Sequence, residues 1–362
     1  MAVNQGLSHL SDHFLMVTLV LYFLAVLAFA ADFAFGRRTP AELAQAEVPE
    51  LVTAGAAGAA AGPASTGPAS TGPASTGPAS TGPAGRAGRG GGAGTGGVPS
   101  PGRPSLRDAS FWVRAGLGLT LLGLLGHIVG VIIRGLAVHR VPWGDMYEFV
   151  IAVTCVAVLF FLGLMLRYRP FRLGLFFMAP IVIIIGLAQT VIYTPAGPLV
   201  PALNSYWLAI HVTAITLATG TYVVAAVLAV IFLFADRHAR RAAAGLPVRN
   251  GEVFRLLPTP ERLDQFAYRT VVFAFPLWTF GIMAGAIWAD EAWGRYWGWD
   301  PTETWAFITW VVYACFLHAR VTAGWRGRRA AYIQLVGFAC LLFNLLGVSL
   351  FITGLHSYAG LS

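Results

Sequence analysis

Eight apolar runs of roughly 17 to 29 residues dominate this 362-residue chain, near 13–36, 112–134, 147–167, 171–193, 207–235, 266–289, 305–321 and 331–353. Each lies at or above the roughly 17 residues with which helices span membranes, and all but the shortest cover about 30 Å of hydrocarbon at 1.5 Å per residue. The pattern predicts an all-α polytopic membrane protein with about eight transmembrane helices. Composition points the same way: 11% of residues are charged and 57% hydrophobic, with a mean hydropathy of +0.68, values outside the range of soluble domains. The first run follows no basic segment and precedes no small-residue cleavage site, so it is expected to be a retained helix and not a signal peptide.

The net charge of +8 comes entirely from arginine, since the chain has no lysine. In a membrane protein such an excess marks inside loops, not nucleic-acid binding. With the N-terminus outside, 19 arginines fall in inside loops, and only Arg134, Arg140 and Arg295 fall outside. An even number of helices then returns the C-terminus to the outside, so both termini are expected to be extracytoplasmic. Residues 37–111 carry four Pro-Ala-Ser-Thr-Gly copies from Pro63 to Gly82 and a Gly/Arg tract. That composition buries nothing against chain entropy and predicts a disordered cytoplasmic linker. The organisation expected is therefore a first helix at 1–36, the linker at 37–111, and a seven-helix remainder at 112–362. Cys155, Cys315 and Cys340 lie inside apolar runs without zinc or redox spacing, which argues against disulfides and thiol catalysis. No Cys-x-x-Cys-His occurs, so the chain itself carries no covalently attached haem.

The loop at 290–305 is of another kind. From Trp293 through Arg295, Tyr296, Trp297, Trp299 and Asp300 to Glu303 and Trp305, it sets four tryptophans and a tyrosine among two acids and an arginine. Charges of that density do not enter a bilayer core, where each costs about 2.5 kcal/mol or more. The stretch is expected to form a membrane-surface platform offering π faces to a large, flat, apolar ligand. Asp300-Pro301-Thr302-Glu303 also reads as a capping box with proline at N1, opening the seventh span.

Histidines sort by position on this topology. His211, four residues into the fifth span, and His356, just beyond the last, share the face of the platform. Two imidazoles flanking an aromatic floor are what axial ligation of a haem iron requires, with Arg295 placed to pair with a propionate. A hydrogen-bonded interfacial histidine is the plainer alternative for each taken singly. His318 lies thirteen residues after Trp305, about 20 Å down the seventh helix. There it is either a functional group or a helix–helix hydrogen-bond partner. His127, mid-span, has the same two readings. His9 and His13 form an i, i+4 pair, and His139 and His238 sit in loops beside arginines.

Trp293 to Asp300, continuing through Trp305, resembles the tryptophan-rich WWD motif of haem-handling proteins. Asn204-Ser-Tyr-Trp-Leu-Ala-Ile-His211, Phe316-Leu-His318-Ala-Arg320 and Gly354-Leu-His356-Ser-Tyr are similar to segments of the CcsA/ResC family, called CcsB in actinobacteria. Val141-Pro-Trp-Gly-Asp145-Met-Tyr-Glu148 resembles another, with Asp145 in place of the usual asparagine. The likeness spans roughly residues 110–360. It implies a subunit of the system II cytochrome c synthetase in the plasma (inner) membrane, acting with a ResB-type partner. Such a subunit carries haem b as substrate and presents it for thioether attachment to Cys-x-x-Cys-His of an apocytochrome c. By correspondence His211 and His356 are the external ligands, and His318 is half of a transmembrane haem site completed by the partner. The rivals are a haem exporter or chaperone without an attachment role, a b-type electron carrier, and a non-haem solute transporter. A b-type carrier needs histidines paired about 14 residues apart on the same helices, whereas His211 and His356 lie on separate segments at one face.

Overall fold

A computed structural model describes residues 3–35, 109–198, 203–248, 251–352 and 354–356. The repeat linker expected at 37–111 lies outside the described residues, apart from its last three. Every regular element among the described residues is helical, and eight helices are long and apolar enough to span a membrane. In chain order the described α-helices are α1 (Gln5–Phe35), α2 (Phe111–Val138), α3 (Met146–Tyr168), α4 (Gly174–Thr190), α5 (Tyr206–Ala243), α6 (Gly251–Arg255), α7 (Pro260–Trp293), α8 (Pro301–Val321), α9 (Arg328–Leu342) and α10 (Val348–Phe351), of which α6 and α10 are too short to span. A 3₁₀ turn at Phe171–Leu173 extends α4, and a π-turn at Phe343–Gly347 joins α9 to α10.

Local chemistry sets the helix ends. Ser110, Asp145, Ser205 and Asp300 cap α2, α3, α5 and α8 by accepting backbone N–H bonds, satisfying donors a helix start leaves orphaned. His139, Arg169 and Gly294 stop α2, α3 and α7 in the left-handed conformation. Helix α5 runs on through Asp236, Arg237 and Arg240, well past its apolar run. Hydrophobic length measures the span, whereas α-helical hydrogen bonding continues wherever propensity allows.

Close helix contact rests on small residues. Helices α1 and α2 are antiparallel, and Gly116, Gly123 and Gly130 of α2 face Phe29, Tyr22 and Leu15 of α1. Both sets repeat every seven residues, so large knobs seat in glycine holes along one seam, the geometry that lets backbones approach in lipid. Hydroxyls add to the seam: Ser11 donates to the Gly130 carbonyl at 2.8 Å and Thr18 to the Gly123 carbonyl at 3.3 Å. Helix α1 belongs to the same compact unit as the other spanning helices. Buried apolar side chains of α1 to α5, with Leu263 and Ala267 of α7 and Ala331 of α9, form one core, and others of α5, α7, α8 and α9 form a second.

At the end of the bundle where α2 meets α3, a buried ion network ties several elements together. Glu148 accepts from Arg134 Nε at 2.9 Å, Arg140 NH1 at 2.8 Å and the Gly144 N–H at 2.7 Å. Arg134 also donates to Asp12 of α1 at 3.4 Å and to the Thr194 carbonyl at 2.6 Å. The loop 140–145 is thereby fixed between α1, α2 and the segment after α4. At the opposite end, Asp264 of α7 accepts two bonds from Arg320 of α8, at 2.7 and 2.9 Å.

Candidate functional site

The WWD loop joins α7 to α8 and closes over a cavity framed by α3, α5, α7, α8 and the π-turn. About 220 Å³ of it is open to the centres of water-sized molecules, within about 1220 Å³ of atom-free space that continues into open solvent. Its walls are aromatic: Trp143, Trp278, Trp288, Trp293, Tyr296 and Trp297. His211 and His356 line it together, although 145 positions separate them in the sequence.

His211 is the sixth residue of α5, about 7.5 Å along the helix from Tyr206. Its Nδ1 lies 2.7 Å from the Gly281 carbonyl oxygen of α7. A carbonyl can only accept, so Nδ1 carries the proton and Nε2 keeps its lone pair. The imidazole lies nearly parallel to Trp288, 14° between planes with centroids 6.1 Å apart. Gly285 permits this: a Cβ there would stand 2.6 Å from the His211 ring.

His356 reaches the cavity from the segment after α10. Its Nδ1 donates to Asp300 Oδ2 at 2.8 Å, while Asp300 Oδ1 accepts the Leu355 N–H at 2.8 Å. Burial alone raises a carboxyl pKa, but the bonds from His356, Leu355 and Thr302 outweigh it and hold Asp300 below its ordinary value. The carboxylate is thus the acceptor, and His356 too commits Nδ1 and keeps Nε2 for a ligand. The edges of Trp293 and Trp288 flank the ring at 5.0 and 5.8 Å. Since both imidazoles pack on Trp288, their centroids lie within about 12 Å of each other.

The capping box expected from the sequence is formed, with Asp300 and Glu303 each bonding the other's end of the first turn. Glu303 Oε2 takes the N–H groups of Gly298 and Asp300 at 2.8 and 3.1 Å, and its Oε1 pairs with Arg295 NH1 at 3.1 Å. Arg295 therefore braces the loop, lying over Trp293 with 5.7 Å to the ring centroid. It stands beside the cavity lining rather than in it.

The tryptophans divide. Trp293 and Trp297 line the cavity, whereas Trp299 and Trp305 do not. Trp299 has φ of 58°, a left-handed conformation rare for a bulky residue. Its ring is exposed and packs edge-on against Trp297 and Phe307. Trp305 turns toward Phe343 of the π-turn at 4.3 Å. His318 is exposed on α8, on a face shared with Phe307, Val311 and Cys315. His127 is fully buried between helices, with the Tyr22 hydroxyl 3.4 Å from its Nδ1. That is the helix-packing role open to it from the sequence. His13 Nδ1 bonds its own helix at the His9 carbonyl, His139 ends α2, and His238 stacks on Phe254.

Sequence reading missed four contributors. Trp288 and Trp278 sit in an apolar run that shows no facing, Trp143 lies 150 positions from the WWD loop, and Asn344 is turned into the cavity by the π-turn. A π-turn inside a helix is itself a common mark of a functional site. Asp145 also lines the cavity. Burial first, and Glu148 second, push its carboxyl up to about 6.

Among the described residues no three His, Cys, Asp or Glu side chains gather as for a bare metal ion. Two imidazoles suit instead a metal that brings its own equatorial ligands, as a porphyrin does. Fold and site together define a multi-pass helical membrane protein with a two-histidine aromatic cavity at one end.

Known proteins place that class more narrowly. Residues 143–356 match the family model described as cytochrome C assembly protein. The cytochrome c biogenesis protein CcsA of Guillardia theta is 38% identical over 267 residues, covering 68% of this chain and 86% of the relative. CcsA of Synechocystis sp. is 34% identical over 310 residues, 71% of this chain and 89% of the relative. CcsA of Chlamydomonas reinhardtii is 44% identical over 163 residues, 45% and 43% of the two chains. A solved cytochrome c haem lyase, CcmF, shares 18% identity at a TM-score of 0.49, over 66% of this chain and 42% of that one. The chain belongs to the cytochrome c assembly proteins, in the CcsA family of system II cytochrome c biogenesis.

Proposed function

We propose that this chain is the haem-presenting subunit of a system II cytochrome c synthetase. Its family assigns it to cytochrome c maturation. In this reading both termini and the WWD loop face the outside of the plasma membrane. Haem b is the substrate, held at its iron between Nε2 of His211 and Nε2 of His356. One observation carries the reading: both imidazoles in one aromatic cavity bind protein through Nδ1, which leaves each Nε2 for metal.

Each residue has a task. Trp293 and Trp297 cover the porphyrin edge, while Trp299 and Trp305 set the shape of the loop. Asp300 aims His356. Arg295 offers a propionate those guanidinium donors that Glu303 does not use. His318, exposed on α8, supplies one ligand of an inner haem site whose second histidine comes from a ResB-type partner. The acceptor is an apocytochrome c with Cys-x-x-Cys-His. Each of its thiols adds across one haem vinyl group, sulfur bonding the inner carbon and the thiol proton going to the outer one. No nucleophile of this chain takes part, and catalysis consists of holding reactants in register and excluding water.

Co-expression with the partner and an apocytochrome, in cells lacking their own maturation system, tests this. Covalent haem on the acceptor is expected with the wild-type chain and lost with His211→Ala or His356→Ala. Normal maturation with both variants would refute the ligand assignment. Haem bound by the chain but never attached, even with the partner present, would favour the exporter or chaperone.

A further inference from the structure

His211 and His356 are held in unlike ways. His211 lies inside a 38-residue helix, its ring against the α7 backbone at Gly285 and stacked on Trp288, which is 2% exposed. Its hydrogen-bond acceptor is a main-chain carbonyl of that neighbouring helix. For this ring to swing away, α5 and α7 would have to part. His356 belongs to no helix: α10 ends at Phe351, and Ile352 is already extended. Its side chain is 24% exposed.

What secures His356 is Asp300. This carboxylate, 4% exposed, takes the imidazole Nδ1–H on one oxygen and the Leu355 N–H on the other. Gly354 closes on it so tightly that a Cβ there would stand 2.8 Å from Oδ1. Asp300 is itself braced, because its own N–H is held by Glu303 and its Oδ2 caps α8 at Thr302. Two bonds to one fixed carboxylate therefore anchor the segment 354–356. A carboxylate on Nδ1 also makes the imidazole a stronger donor through Nε2.

We propose that Asp300 is the latch on a removable ligand: His356, not His211, is the imidazole that the acceptor's histidine replaces, and Asp300 sets how readily it leaves. This rests on the reading that the two imidazoles share one haem. The exchange balances simply. One Fe–N bond to His356 breaks and one Fe–N bond to the acceptor's imidazole forms, with no change in oxidation state. No proton moves, since each neutral ring keeps its Nδ1 hydrogen. The acceptor then approaches from the side of residues 354–356, where the chain can give way, and not through the α5–α7 seam.

Asp300→Asn separates latch from cap, because asparagine caps a helix about as well as aspartate but presents no negative charge to His356. The probe is carbon monoxide added to the ferrous, haem-loaded full-length chain, which binds only after an axial ligand leaves. Asp300→Asn is expected to speed carbon monoxide binding about tenfold or more, the equivalent of one charge-assisted hydrogen bond. In a His356→Ala background the same change should have no effect. An unaltered rate, or equal acceleration without His356, overturns the proposal. If Asp300→Asn holds no haem, the wild type still decides. After photolysis of the carbon monoxide adduct, its iron–histidine stretch should match that of His356→Ala, where only His211 is left. A match to His211→Ala would overturn the assignment. A wild-type chain that takes up no haem would instead bring down the two-imidazole reading itself.

Discussion

Replacing Gly285 by alanine sets two local effects against each other. Gly285 lies in the interior of α7, where alanine is favoured over glycine by about 0.5–1 kcal/mol. Its Cβ, however, would stand 2.6 Å from Cε1 and Nδ1 of His211. Non-bonded carbons settle at about 3.5–4.0 Å, so the imidazole must retreat by about 1 Å. That retreat opposes the 2.7 Å bond from Nδ1 to the Gly281 carbonyl and the stacking on Trp288. A buried hydrogen bond left unmade costs about 1–3 kcal/mol, and a metal ligand must be placed to within about 0.5 Å. The helix gain offsets part of the folding cost, but nothing offsets the misplaced Nε2. Gly285→Ala should therefore cost no more than about 2.5 kcal/mol of stability, while haem affinity falls roughly 10- to 100-fold. The assay is a haem titration of the purified chain, followed at the Soret band. Gly186→Ala in α4 is the control, since a Cβ there meets nothing within 4 Å. Wild-type affinity in Gly285→Ala, or an equal loss in Gly186→Ala, would refute the reasoning.

Other perturbations follow from the same geometry. Gly123→Ala drives a Cβ to 2.5 Å from the Tyr22 ring and should loosen α1 from α2 and lower the melting temperature, whereas Gly118→Ala, in open space, should not. Glu148→Gln leaves Arg134 and Arg140 facing a neutral amide in a buried network and should cost about 3–5 kcal/mol in an unfolding titration. Asp145 gives a pH signature. Its folded pKa of about 6 lies above the unfolded value, so the folded state holds this proton more tightly. Its contribution is complete below the unfolded pKa and is lost as pH rises through about 6. Asp145→Asn, which still caps α3, should match wild type near pH 4 and exceed it above pH 6 by on the order of 1–3 kcal/mol in thermal melts.

Much of this molecule can be read along the chain, because lipid demands long apolar runs and those runs name their helices. The eight spans fell where the runs are, and deviations came only at the ends. Gln5 to Ser11 and Asp236 to Ala243 are helical although polar, because hydropathy reports immersion and not hydrogen bonding. The two cavity histidines were legible from topology alone, since both fall at the end that bears the WWD loop. Side-chain direction was not. Four tryptophans in thirteen residues suggest one floor, yet the left-handed Trp299 points its ring away and Trp305 packs on the π-turn. Capping chemistry showed the local half of Asp300. Its bonds to Leu355 and His356 cross 55 and 56 positions, a separation no local pattern encodes. Trp288 shows the same limit, since a tryptophan in an apolar run looks like any core residue until the fold lays two imidazoles against it.

The ferric spin state of the haem-loaded chain bears on all of this at once. Electron paramagnetic resonance of the wild type should show a low-spin iron with two imidazole ligands, and His211→Ala and His356→Ala should each turn it high-spin. A two-imidazole signal that survives both substitutions would mean that other residues hold the iron.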